Sequence, residues 1–259
     1  MTTTVKPLNS YCKQPMPNRR KKHCVYCGSR KEMTKDHIPP KCLFATPSPN
    51  AITVPCCRKC NESASKDDEY FRLVCASNYN GHVHPEQREL FPKFIGSLNR
   101  KVERASDRKV RRELELPEEY SAIISMFKDA RQVYIENETG IIEPTLAWPI
   151  DVDRINRVVS RIIKGLTWKE NGKRLSRKYE INIHYDGFHY LDDGPPNLGR
   201  KRIEVLSAML RKQPTTVGND VFSYWHSPTT EDKSTGTWIL EFYKQTRFYC
   251  FVNKATSAS

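Results

Sequence analysis

Hydrophobic and polar positions change rhythm several times along this chain. Residues 1–22 show no period: they are polar, hold Pro7, Pro15 and Pro17, and end in Arg19-Arg20-Lys21-Lys22. A flexible basic arm is expected there. Residues 23–66 are rich in cysteine and in proline (Pro39, Pro40, Pro47, Pro49, Pro55), which favours loops and short strands because proline removes a backbone donor and breaks helices. From Lys66 the spacing turns helical. Tyr70, Leu73 and Val74 share one face, so a helix is expected from near Asn61 to about Ser77. Residues 86–136 read mainly as helices broken near Pro92 and Pro117, with a basic run over 100–112. Val133-Tyr134-Ile135 and Ile141-Ile142 then flank the turn-like Asn137-Glu138-Thr139-Gly140, a hairpin pattern.

The clearest amphipathic segment spans 151–169. Ile155, Val158, Val159, Ile162, Ile163 and Leu166 form a continuous apolar stripe of helical period, and Arg154, Arg157, Arg161 and Lys164 recur on another face. A solvated face explains that basic stripe at least as well as a nucleic-acid contact does. The last third is different again. Val221–Trp225, Thr237–Tyr243 and Arg247–Val252 are aromatic and β-rich, and the spacers Ser227–Gly236 and Lys244-Gln245-Thr246 separate them, which predicts an antiparallel meander. The chain shows neither an internal repeat nor a phosphate-cradling glycine motif. The expected fold class is α+β, arranged as an arm (1–22), a cysteine module (23–85), a mainly helical region (86–150), and a helix followed by a strand-rich region (151–259).

At 259 residues the chain can bury a substantial core. No stretch reaches the ~18–20 apolar residues of a membrane span, and the first residues lack the apolar region of a secretion signal. The expectation is a cytoplasmic protein with reduced thiols and no membrane partner. Net charge is +13, and residues 1–80 hold 14 Lys/Arg against 6 Asp/Glu, or +8 of that total. A basic excess suits a polyanionic partner, although many soluble proteins are basic for no specific reason.

Chemistry concentrates in residues 23–66. Cys24-Val25-Tyr26-Cys27 and Cys57-Arg58-Lys59-Cys60 are paired knuckles suited to one tetrahedral zinc ion, since thiolates are soft ligands. The 29 residues between them exceed the ~15–20 of a simple zinc ribbon. That insert carries Thr34-Lys35-Asp36-His37-Ile38-Pro39-Pro40, and Asn61 follows the last cysteine. Asp, His and Asn are residues that hold a hard divalent ion and activate a water beside a phosphate. On a strand, Asp36 and His37 point to opposite faces.

Cys24-Val25-Tyr26-Cys27-Gly28, Lys35-Asp36-His37-Ile38-Pro39 and Cys57-Arg58-Lys59-Cys60-Asn61 together resemble the HNH endonucleases of the ββα-metal superfamily. The zinc-stapled type, as in phage junction-resolving endonucleases, is the nearest pattern, and the resemblance covers roughly residues 23–75. It implies a small zinc-bound ββα module in which Cys24, Cys27, Cys57 and Cys60 bind structural Zn²⁺. It also implies that His37 is the general base, and that Asp36 and Asn61 hold one catalytic Mg²⁺ or Mn²⁺. The expected activity is hydrolysis of nucleic-acid phosphodiesters, most often in double-stranded DNA, leaving 5′-phosphate and 3′-hydroxyl ends. The family serves mobile elements and anti-phage defence, and a one-metal site cuts both strands as a homodimer or by two successive nicks. One element departs from the pattern. Ile52 stands where the middle Asn is usual, and Asn50 is the nearest residue to brace the loop that carries the base. Arg19, Arg20, Lys21, Lys22, Lys35, Arg58 and Lys59 are the candidate phosphate contacts.

Plainer readings exist for each feature. Lys66, Asp67, Asp68 and Glu69 form an exposed helix face by default. Cys12, Cys42, Cys75 and Cys250 read as ordinary thiols, Cys56 as a packing neighbour, and His82, His84, His184, His189 and His226 as histidines without ligand-like company. Tyr224, Trp225 and Trp238 could stack on bases, but residues of an aromatic meander are more often core. Two other functions compete with the nuclease: a zinc-dependent nucleic-acid-binding module without catalysis, and an effector kept silent by a protein partner or by a sensor in residues 86–259.

Overall fold

The apolar stripe of the long helix organises the structure. Its residues Ile155, Val158, Val159, Ile162, Ile163 and Leu166 are all buried, so the 3.6-residue period read from the sequence is the period of a core face. The computed structural model describes residues 23–77, 84–90, 92–93, 96, 130–136, 142–147, 149–186 and 200–255. The arm with Arg19, Arg20, Lys21 and Lys22, and the basic run 100–112, lie outside the described residues.

The protein is a mixture of helices and antiparallel sheet. Strands β1 (Met33–Ile38) and β2 (Ile52–Cys57) form an antiparallel hairpin with Asp36 opposite Val54 and His37 opposite Thr53. A single turn of 3-10 helix, Lys41–Leu43, lies in their connection. The helix expected from Asn61 starts earlier and is interrupted. A short α1 (Arg58–Glu62) follows β2 at once, Ser63 and Ala64 break the run, and α2 (Ser65–Ser77) continues it. Residues 85–90 are helical, as expected for the start of the 86–136 region, and among the described residues the hairpin β3 (Arg131–Glu136) and β4 (Ile142–Ala147) and then α3 (Val152–Asn171) follow. Asp151 caps α3 by accepting from the Arg154 amide at 3.1 Å, and Gly172 ends it in the left-handed conformation that glycine adopts without strain.

The remaining elements among the described residues are β5 (Tyr179–Asp186), α4 (Arg200–Leu210), β6 (Thr215–Val217), β7 (Phe222–Pro228), β8 (Gly236–Phe242) and β9 (Thr246–Lys254). Five of them make one antiparallel sheet in the order β5-β9-β8-β7-β6. The meander expected from the sequence is its centre, β7-β8-β9, and Tyr224 and Trp238 are core residues at 3% and 1% exposure. β5 and β6 extend the sheet on either side.

One apolar core joins these parts. It links Val25, Ile38 and Val54 of the cysteine module, Tyr70 and Phe71 of α2, the α3 stripe, and Phe222, Phe242 and Phe248 of the sheet. Phe71 meets Phe242 edge to face at 5.1 Å. At Gly165 a side-chain carbon would lie 2.6 Å from Ile38 Cδ1, so α3 crosses β1 as closely as a helix can. Residues on both sides of position 85 contribute to this core. No helix among the described residues is long and apolar enough to cross a membrane.

Candidate metal centre

The two knuckles meet. The sulfurs of Cys24, Cys27, Cys57 and Cys60 all lie within 4.8 Å of one another, and Cys27 and Cys57 are 3.6 Å apart. Four sulfurs at the usual Zn–S length stand about 3.8 Å apart in a tetrahedron, so the group can hold a structural metal such as zinc. The backbone prepares it. Gly28, at φ +81°, closes the first knuckle by donating to the Cys24 carbonyl at 2.8 Å, and the Ser29 amide points at Cys27 Sγ. Burial of the Cys24 sulfur favours the neutral thiol, yet backbone amides of Cys27, Cys57 and Tyr26 outweigh it and bring that thiol down to about 6. Burial and the crowding of Cys57 and Cys27 push Cys60 the other way. A bound cation displaces such retained protons. Cys56 is buried beside the cluster and donates to the Cys57 carbonyl.

Asp36 and His37 diverge as strand alternation requires. Asp36 is 6% exposed and turns inward. Its Oδ2 accepts from the Tyr26 hydroxyl at 2.5 Å and from Arg161 Nη2 at 2.7 Å. Arg161 also donates to Asp68 Oδ1 at 2.9 Å, while Arg154 and Arg157 both grip Asp67. Arg154 and Arg161 of the α3 stripe are therefore not solvated, Arg157 is paired but still exposed, and Asp67 and Asp68 are not an exposed acidic face. These faces pair with each other because α2 and α3 pack side by side. Burial lifts Asp68 to about 6 against the pull of Arg161. Burial also opposes the Asp67 charge, but the two arginines outweigh it and hold that carboxyl below its usual range.

Asn61 lies in α1, and its amide nitrogen donates to Thr34 Oγ1 at 3.3 Å. Thr34 shares a strand face with Asp36, so Asn61 reaches the side of β1 that carries the carboxylate. Oxygen donors of this kind suit a hard divalent ion. The cation that meets Asp36 here is Arg161, and an ion at the carboxylate would compete with that guanidinium.

His37 faces the other way, into a shallow cavity of about 230 Å³ that it shares with Lys41, Phe44, Ser48 and Val217. Among the described residues its imidazole has no hydrogen-bonding partner. Asn50 holds the loop after β1 from a distance. It donates to the Thr216 carbonyl at 2.9 Å and accepts from the Gly218 amide at 3.1 Å, which ties that loop to the C-terminal sheet. Lys35, Arg58 and Lys59 are exposed.

Sequence reasoning missed Tyr26, Arg161 and Asp68 as partners of the centre. Tyr26 sits inside the first knuckle and could have been weighed there. The α3 partners carry no local signal. Lys164, the last cation of the α3 stripe, is half-buried, and burial alone lowers its ammonium, with no acid against it among the described residues. Comparison with protein-family models, curated proteins and solved structures finds no match to this chain.

Proposed function

We propose that this protein is a metal-dependent endonuclease of the HNH type, acting on DNA. One observation carries the reading. A four-cysteine cluster, a β1-β2 hairpin and the helix after it bring a buried Asp36 and Asn61 to one strand face, with His37, which has no hydrogen-bonding partner among the described residues, on the opposite face of the same strand. Zinc at Cys24, Cys27, Cys57 and Cys60 would fix the hairpin against α1. Asp36 and Asn61 would hold one Mg²⁺ or Mn²⁺, which polarises the phosphate and steadies the leaving 3′-oxygen. His37 would take a proton from the attacking water, a role that suits an imidazole lining a cavity with no hydrogen-bonding partner among the described residues. Lys35, Arg58 and Lys59 stand exposed nearby in the same module and would meet the backbone.

The test is cleavage of supercoiled plasmid, linear duplex, single strand and RNA by the zinc-loaded protein, with Mg²⁺, with Mn²⁺ and with neither. The expected result is metal-dependent cutting of DNA to 5′-phosphate ends. His37→Ala should lose at least about 100-fold of the rate with zinc content and thermal stability unchanged. Cutting by His37→Ala at the wild-type rate would refute the assignment.

A second reading has its own support. Arg161 of α3 sits on the Asp36 carboxylate, with 17% and 8% of the two side chains exposed. A nuclease kept at rest by the remainder of its own chain would be built in this way, and release would require Arg161 to leave Asp36.

A further inference from the structure

Between α1 and α3 lies a basin of about 530 Å³, open on one side, that the catalytic reading does not use. Tyr26 and Cys60 form its wall toward the metal centre, and Arg157, Ser160, Arg161 and Lys164 line it from α3, together with two carboxylates, Asp153 and the Asp67 that Arg154 and Arg157 neutralise. Its volume is in the range of small-ligand sites, about 300–1,000 Å³. The cations of this stripe are not equivalent. Arg154 and Arg157 are committed to Asp67, and Arg161 to Asp68 and Asp36. Lys164 is half-buried, and among the described residues it has no acid and no hydrogen-bonding partner. A positive charge withdrawn from water without a counter-ion is costly unless an anion completes it.

We propose that this basin seats a backbone phosphate of the nucleic acid, with the Lys164 ammonium as its counter-charge and the Ser160 hydroxyl as a further donor. The assignment rests on the endonuclease reading, because only the neighbouring Asp36–Asn61 centre makes a phosphodiester the natural anion here. The phosphate held is one flanking the cleaved bond, since Asp36, bonded to Tyr26 and Arg161, does not line the basin. Arg157, 57% exposed on the rim, marks where the strand would enter.

The experiment measures binding of a short fluorescein-labelled DNA duplex by anisotropy over a series of salt concentrations. It uses full-length zinc-loaded protein carrying His37→Ala, without added Mg²⁺ or Mn²⁺, so that the probe stays intact. On that background Lys164→Gln should weaken binding and reduce the slope of log K against log salt by about 0.9, the loss of one phosphate contact. Lys164→Arg should restore the slope, and Lys233→Gln, at an exposed cation of the sheet region, should leave it unchanged. An unchanged slope in Lys164→Gln overturns the proposal. So does displacement of Lys164-dependent binding to inorganic phosphate alone with no effect on the duplex, which would make the basin a site for free phosphate. Cleavage assays with His37 present separate the two ideas. Wild type that cuts while the slope ignores Lys164 leaves the nuclease standing without this seat. Wild type that never cuts while the slope still falls leaves the seat without the nuclease.

Discussion

The cysteine cluster and the Asp36 centre sit side by side in one short module, yet they obtain their positive charge differently. The four thiols lie together with backbone amides and one another to favour ionisation, and Cys24 is the one driven down, to about 6. No cationic side chain is bonded to their sulfurs among the described residues. Asp36 is met by a guanidinium from a helix 125 positions further along. The first site is assembled locally, and its charge balance would come from a bound ion. The second is already neutralised from within, so an external ion must compete. The chain can therefore bind a structural metal through local sequence alone, while its candidate catalytic carboxylate answers to the packing of the whole fold.

The largest expected effect comes from breaking the local half. Cys57→Ser, or a chelator strong enough to strip zinc, removes a cation whose binding to small zinc domains is worth roughly 10–16 kcal/mol at neutral pH. Zinc content by elemental analysis should fall from one per chain to none, and the melting temperature should collapse with it. A variant that melts like wild type without metal would show the thiols to be bystanders.

Breaking the long-range half should cost less. Arg161→Ala leaves Asp36 and Asp68 buried without their cation, a change worth about 3–5 kcal/mol. Denaturant unfolding should show that loss, and Mn²⁺ should recover part of it by replacing the guanidinium at Asp36. With Asp36→Asn added, the Mn²⁺ recovery should vanish. Recovery that survives Asp36→Asn would place the ion elsewhere.

The smallest effect probes the contact that carries α3 to the centre. Gly165→Ala puts a methyl group where Ile38 Cδ1 stands 2.6 Å away, and relieving that clash should cost about 1–3 kcal/mol. Ile38→Val in the same chain should return some of it by vacating the space. A neutral Gly165→Ala would mean that helix and strand adjust freely, and that Arg161 is not held on Asp36 by this crossing.

These differences explain what was legible in the sequence. Cys-x-x-Cys pairs, the Asp36-His37 alternation and the α3 stripe are local patterns, and each reappears in the structure at its expected position. The β5 strand was legible too: Tyr179, Ile181, Ile183 and Tyr185 alternate with polar residues and pack against the core, a period-two signal passed over in a polar stretch. The ion pairs were not legible. A row of arginines on one helix and a pair of aspartates on another read as two solvated faces until packing brings them together. Asn50 is similar, since its partners Thr216 and Gly218 lie some 166 residues away.

The most direct test of this account is a Mn²⁺ titration of the zinc-loaded protein, followed by electron paramagnetic resonance, in wild type, Arg161→Gln and Asp36→Asn. The account predicts one Mn²⁺ site, tightened roughly tenfold or more, about 1.4 kcal/mol, when Arg161 no longer occupies the carboxylate, and abolished by Asp36→Asn. Equal Mn²⁺ binding by all three proteins would contradict it.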